Sequence, residues 1–244
     1  MGGEIIKGIK AVYFDMGNTL LHFHHGENVV KDINGIRYLT EHLRKFNEDI
    51  NFDDVRHGFF EKWMKGIEDR TETVVEYPIE EFLNNFLKEY KLCFNLEQCI
   101  EAINIFYSDY REQLYFEENI FETLSAIKEK GYRLGVISNT CYYDEVMKEC
   151  FKKANIYDLI DSFTFSYSLR IGKPKREIFQ IALKSMNIEP YEAAMVGDSL
   201  DKDIKPALEI GMKTIWLNNK NINNNSGVIP QYEIQLLADL LKYI

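Results

Sequence analysis

A chain of 244 residues, 45% hydrophobic and 28% charged, has the apolar material for a sizeable core and room for one large domain or two smaller ones. Its formal charge of −10 argues against a nucleic-acid backbone or an anionic membrane surface as partner, while a local cationic pocket can still take a small anionic substrate. No apolar run is long enough for a signal peptide or a membrane span. Cys93, Cys99, Cys141 and Cys150 form no Cys-x-x-Cys pair or zinc-finger spacing, so a cytoplasmic protein with free thiols is expected.

The apolar segment Lys10–Asp15 predicts a short buried strand, followed at once by Met16-Gly17-Asn18-Thr19. From about Asn28 to Tyr115 the apolar residues recur at helical spacing. The stripes are Ile36, Leu39, Leu43 and Phe46; then Val55, Phe59, Trp63, Met64 and Ile67; then Ile79, Leu83, Phe86, Leu87 and Tyr90; and finally Cys99, Ile100, Ile103, Tyr107 and Tyr110. This stretch is expected to be helical throughout, its many aromatics serving as core.

From Glu117 strands and helices alternate. Helices are predicted at Ile120–Lys130 (stopped by Gly131), Tyr142–Ala154, Arg176–Met186 and Lys202–Ile210. Strands are predicted at Leu134–Ser138, Ser162–Phe165, Ala193–Gly197 and Thr214–Leu217. The asparagine-rich stretch Asn218–Gly227 reads as a surface loop and Tyr232–Tyr243 as a closing helix. Repeated strand–helix units predict a doubly wound, Rossmann-like parallel sheet. The expected division is an α/β core from residues 1–21 and 116–244 and an inserted helical segment, 22–115. Ligands of open parallel sheets bind beyond the carboxyl ends of the strands, and Asp15, Ser138 and Asp198 all fall at such ends, so one site is expected there.

Four motifs occur in order: FDMGNT (Phe14–Thr19), VISNT (Val136–Thr140), GKPKREIF (Gly172–Phe179) and VGDSLDKD (Val196–Asp203). Taken together they resemble the haloacid dehalogenase superfamily, in particular its phosphatase-like branch with a helical cap inserted after the first motif. The resemblance implies that Asp15 is a nucleophile that forms an aspartyl-phosphate. It implies a Mg²⁺ cofactor held by Asp15, Asp198 and the backbone carbonyl of Gly17, with Asp203 steadying the shell from behind. Gly17, Asn18, Ser138, Asn139 and Lys173 would bind the phosphate, Ser138 and Lys173 also acting in catalysis, and the cap would limit the substrate to a small phosphorylated metabolite such as a sugar phosphate or nucleotide. Asp201 does not fit the motif spacing and reads as solvated or helix-capping. His22, His24 and His25 suggest a metal, but no further Cys/His cluster supports that reading.

One position departs from the family pattern. Most phosphatases of this family carry a second Asp two residues after the nucleophile, where this chain has Gly17. Acid–base catalysis by such a group is worth about 10²–10⁴-fold. Three readings compete: a phosphatase whose proton carrier is another group; a haloacid dehalogenase or phosphonate hydrolase; or a phospho-ligand-binding or interaction protein with little turnover. The acidic Gly197-Asp198-Ser199 motif suits a dication and favours the first.

Overall fold

The computed structural model describes residues 5–22, 28–68 and 79–244. They form two compact units, one drawn from Met1–His22, Tyr115–Asn139 and Phe151–Ile244, the other from Phe23–Leu114 and Thr140–Cys150. No helix among the described residues is long and apolar enough to cross a membrane.

The first unit is built on a six-stranded sheet in which every pairing is parallel, in the order β3-β2-β1-β4-β5-β6. The strands are β1 (Ala11–Phe14), β2 (Arg133–Ser138), β3 (Ser162–Phe165), β4 (Ala193–Gly197), β5 (Lys213–Leu217) and β6 (Tyr232–Ile234). Ala11, Val12, Tyr13 and Phe14 are all fully buried, as a central strand covered on both faces requires. Tyr13 shares a core with Ile178, Phe179, Ala182 and Leu183 of the helix Arg176–Ser185. Its hydroxyl donates to the carbonyl of Ala182 at 2.9 Å, so a buried polar tip is satisfied as well as a large apolar ring. Phe14 pairs in register with both Val136 and Val196. That register brings Asp15, Ser138 and Asp198 out at the same end of the sheet.

The carboxyl-terminal segment differs from the sequence expectation. Tyr232–Ile234 is a strand, and only Leu237–Lys242 turns helically, as a 3₁₀ helix. The cause is tertiary: the outer edge of β5 offers unpaired backbone groups, and Ile215, Trp216 and Leu217 find partners in Tyr232, Glu233 and Ile234. The pairing runs one residue further, where the Asn218 amide donates to the Ile234 carbonyl at 2.8 Å. Leu237 and Leu240 still bury their side chains completely, which accounts for the apolar spacing in the sequence. The segment expected as Lys202–Ile210 is likewise divided, into a π-helical turn at Leu200–Ile204 and an α-helix at Lys205–Glu209.

The second unit is helical among its described residues. Its helices include Asn28–Leu43, Glu61–Glu68, Ile79–Glu89 and Leu96–Phe106, and a π-helical turn, Arg56–Phe60, precedes the second of these. Asn95 and Gln98 form a capping box at the start of the last, satisfying two otherwise orphaned backbone donors. Phe59, Trp63 and Phe106 are at most 1% exposed; Phe59 and Trp63 stack parallel, and both meet Phe106 edge to face, with centroids 6.3 and 6.2 Å away. Tyr142 packs against Trp63 and Tyr107, so Thr140–Cys150 belongs to this aromatic core.

Candidate active site

Asp15 is the first residue beyond β1. Its amide donates to the carbonyl of Val196 at 2.9 Å, so β4 fixes the point at which the carboxylate leaves the sheet. The residue is 8% exposed. The chain then turns tightly, with the amides of Leu20 and Leu21 donating to the carbonyl of Met16. Asn18 takes a left-handed conformation (φ 58°), and its side chain hydrogen-bonds Asp198.

Lys173 occupies the centre of the cluster. Its ammonium donates to Asp15 Oδ1 at 2.5 Å and to Asp203 Oδ1 at 2.6 Å, and the lysine is only 6% exposed. Asn139 holds the lysine backbone from both sides: its Nδ2 donates to the Lys173 carbonyl at 2.8 Å, and its Oδ1 accepts from the Lys173 amide at 2.7 Å. A Cβ at Gly172 would lie 2.9 Å from that same Oδ1, so the clamp needs glycine beside it. Asp203 is fixed in turn, its Oδ2 accepting from the Ser199 amide at 3.0 Å. Ser138, at the end of β2, is 2% exposed, and its hydroxyl donates to the Asn139 carbonyl at 3.3 Å.

Asp15, Asp198 and Asp203 each offer a carboxylate oxygen within 4.8 Å of the others, an arrangement able to hold a metal ion. Burial, opposed by Lys173 and reinforced by Asp203 and Asp198, raises the Asp15 carboxyl to about 7. Asp198 is raised by burial and by Asp203. Burial opposes the charge on Lys173, but the two paired carboxylates outweigh it and hold the ammonium protonated above the usual lysine range. One buried cation thus serves three crowded carboxylates. Hard oxygen donors with an excess of negative charge fit Mg²⁺, which takes one or two carboxylates and keeps its remaining positions for water and phosphate.

Other residues fall into place around this core. Asp201 is exposed, and the cap of its helical turn is Ser199, whose side chain accepts from the Lys202 amide. His22 is half-stacked on Tyr115 (centroids 5.1 Å apart) and pairs with it through both backbone amides. Burial, then the charge of Lys220, holds its imidazole below the usual range. His24 and His25 lie outside the described residues. A cleft of about 910 Å³ opens in the helical unit, lined by His42, Lys45, Glu97 and Arg111 among others, and none of the motif residues line it.

Sequence reasoning missed the contribution of the strand β5 and the loop after it. Trp216 Nε1 donates to the Asp198 carbonyl at 2.9 Å, and Asn219 Nδ2 donates to the Asn18 carbonyl at 3.3 Å. The one available signal was an Asn-Asn-Lys run directly after a strand whose carboxyl end faces the site.

The arrangement defines a hydrolase of the α/β type with a carboxylate at the head of its central strand. A family model for haloacid dehalogenase-like hydrolases matches residues 9–211, and the chain belongs to that family. Its curated relatives include proteins named as phosphatases. The glyceraldehyde 3-phosphate phosphatase of Pyrococcus abyssi is 28% identical over 245 residues, covering 97% of this chain and 94% of that protein. The pyrophosphatase PpaX of Bacillus velezensis is 29% identical, over 60% of this chain and 69% of its own. The fold is shared with a phosphatase from Thermococcus onnurineus, with a TM-score of 0.63 and 24% identity over 96% of this chain and 97% of that one. It is shared equally with a 2-haloacid dehalogenase from Pseudomonas syringae, with a TM-score of 0.66 and 21% identity over 96% and 97%.

Proposed function

We propose that this chain is a Mg²⁺-dependent phosphatase of small phosphomonoesters. The observation that carries the reading is the cluster of Asp15, Asp198 and Asp203 at the carboxyl end of a parallel sheet, with Asp15 and Asp203 paired to the buried ammonium of Lys173. A carboxylate oxygen of Asp15 attacks phosphorus, the ester P–O bond breaks, and the leaving alkoxide takes up a proton. Water then attacks the aspartyl-phosphate, releasing phosphate and the free carboxylate. Lys173 and the hydroxyl of Ser138 meet the equatorial oxygens, where charge builds in the transition state. Asn18 and Asn139 hold the phosphate-binding loops in place. Asp15, Asp198 and the carbonyl of Gly17 would hold Mg²⁺, which would supply the charge that lets a carboxylate approach a phosphate. Asp203 steadies Lys173 as well as the metal shell.

Dehalogenases share the fold, so fold alone does not choose between the chemistries. The choice rests on the carboxylate cluster, which suits a dication, and on relatives named as phosphatases. The test is a panel of small phosphate esters assayed with Mg²⁺, with EDTA, and with Asp15→Asn. Turnover requiring both Mg²⁺ and Asp15 is expected. Consumption of 2-haloacids without added metal, or ester hydrolysis that survives Asp15→Asn, overturns the proposal.

A further inference from the structure

The segment after β5 is more than a surface loop. Asn218 is 4% exposed and organises it: its Nδ2 donates to the Ile222 carbonyl at 2.9 Å and to Glu233 at 2.7 Å, while its Oδ1 accepts from the Ile222 amide at 2.9 Å. Asn219 ties the next residue to the Asn18 carbonyl, and Asn18 in turn bonds Asp198. Trp216 anchors the backbone of Asp198 from the strand itself. Lys220 therefore sits on a fixed stretch of chain, one residue from a direct contact with the nucleophile's loop. It is exposed and has no ion-pair partner among the described residues. Its charge reaches both Asp198 and His22. Lys173, by contrast, is buried and already committed to two carboxylates. An exposed lysine on an anchored stretch of backbone, without an ion pair among the described residues and beside an acidic site on a chain of net charge −10, has its natural partner in an anion brought by the ligand.

We infer that Lys220 is a specificity-determining residue that receives a second anionic group of the substrate, distinct from the phosphate being transferred. This rests on the phosphatase reading above. It predicts a preference for phosphomonoesters that carry a carboxylate or a further phosphate over neutral counterparts of the same size.

The experiment compares 3-phosphoglycerate with glycerol 3-phosphate, which differ in a carboxylate against a hydroxymethyl group, for the wild type, Lys220→Met and Lys220→Arg. The ratio of kcat/KM for the acidic over the neutral ester should fall about fivefold in Lys220→Met, the worth of one partly exposed ion pair. The loss should appear in KM for 3-phosphoglycerate, and Lys220→Arg should keep the ratio. Higher salt should shrink the wild-type preference. An unchanged ratio, or an equal loss on both esters, overturns the inference, the latter assigning Lys220 to general compensation of the acidic cluster. Should the wild type hydrolyse neither ester, the phosphatase reading is decided by the ester panel above, and calorimetric titration with both esters in Mg²⁺ decides for Lys220. Tighter binding of 3-phosphoglycerate that is lost in Lys220→Met upholds it; equal or absent binding overturns it.

Discussion

The side chain of Asn139 grips the backbone of Lys173 by both its amide and its carbonyl, at 2.7 and 2.8 Å. The held residue is the one whose ammonium joins Asp15 to Asp203. Asn139→Ala removes both bonds without touching the charge. Activity is expected to fall about 10–100-fold, the usual cost of losing an orienting partner behind a charged group. Asn139→Asp should be worse than Asn139→Ala at neutral pH, because one carboxylate oxygen then faces the Lys173 carbonyl. Steady-state kinetics of the two variants, with circular dichroism to confirm folding, checks the order.

Lys173 is a structural counter-ion as well as a candidate catalytic group. Lys173→Met leaves buried carboxylates facing one another and should cost about 3 kcal/mol of stability, read by denaturant unfolding in EDTA. With Asp15 already standing at about 7, losing the lysine raises it further. A carboxyl whose folded pKa exceeds its unfolded value binds more protons when folded, so the variant should gain stability as pH falls from 8 to 5. Adding Asp203→Asn should recover part of the loss at pH 8, a coupling that a double-mutant cycle measures.

Gly197 allows the close packing of Asp203. A Cβ at position 197 would lie 2.5 Å from both Cβ and Cγ of Asp203. Gly197→Ala should therefore push that carboxylate off Lys173 and the Ser199 amide, at a cost of about 1–3 kcal/mol. Weaker Mg²⁺ binding, measured by calorimetry, should accompany it. Unaltered stability would show that the loop yields without strain.

Gly17 is the opposite case. A Cβ there meets nothing within 4 Å, and the backbone is one that any residue adopts. Gly17→Asp should fold normally and supply the absent acid–base group. Sugar phosphates, whose alkoxides need a proton to depart, should gain about tenfold or more, and aryl phosphates less. A loss on every substrate would mean that the space is already used by another proton carrier.

His42 gives a pH prediction in the helical unit. It is 5% exposed with neither ring nitrogen hydrogen-bonded, and burial holds its pKa below the ordinary 6.5. The unfolded chain thus binds this proton more readily than the folded one. Stability is complete above about 6.5 and is lost as pH falls through the folded value. His42→Leu should match the wild type in Tm at pH 8 and exceed it at pH 5.

Much of this architecture was legible in the sequence, because its signals are local. Continuous apolar runs mark β1, β2 and β4, and a polar residue directly after each marks the site. Helical periodicity marks Asn28–Leu43 and Leu96–Phe106. What escaped depends on contacts through space. The strand Tyr232–Ile234 exists because β5 has an edge to fill, and nothing in its own residues favours strand over helix strongly enough. Asn219 and Trp216 reach the site only because β5 lies beside β4. Likewise, no spacing rule foretells that Lys173 bridges Asp15 and Asp203.

The position of β1 also governs the order in which the protein can be made. Its neighbours are β2 and β4, so Ala11 waits for Arg133 on one side and Ala193 on the other. During vectorial synthesis the strand that leads into Asp15 leaves the ribosome before both of its partners and is enclosed only once Ala193–Gly197 has emerged. Such distant pairing implies slow assembly of the sheet, against rapid closure of the locally wired helices. Until Ala193–Gly197 arrives, the growing polypeptide carries an apolar strand with an open edge, the surface through which stalled or truncated chains would aggregate.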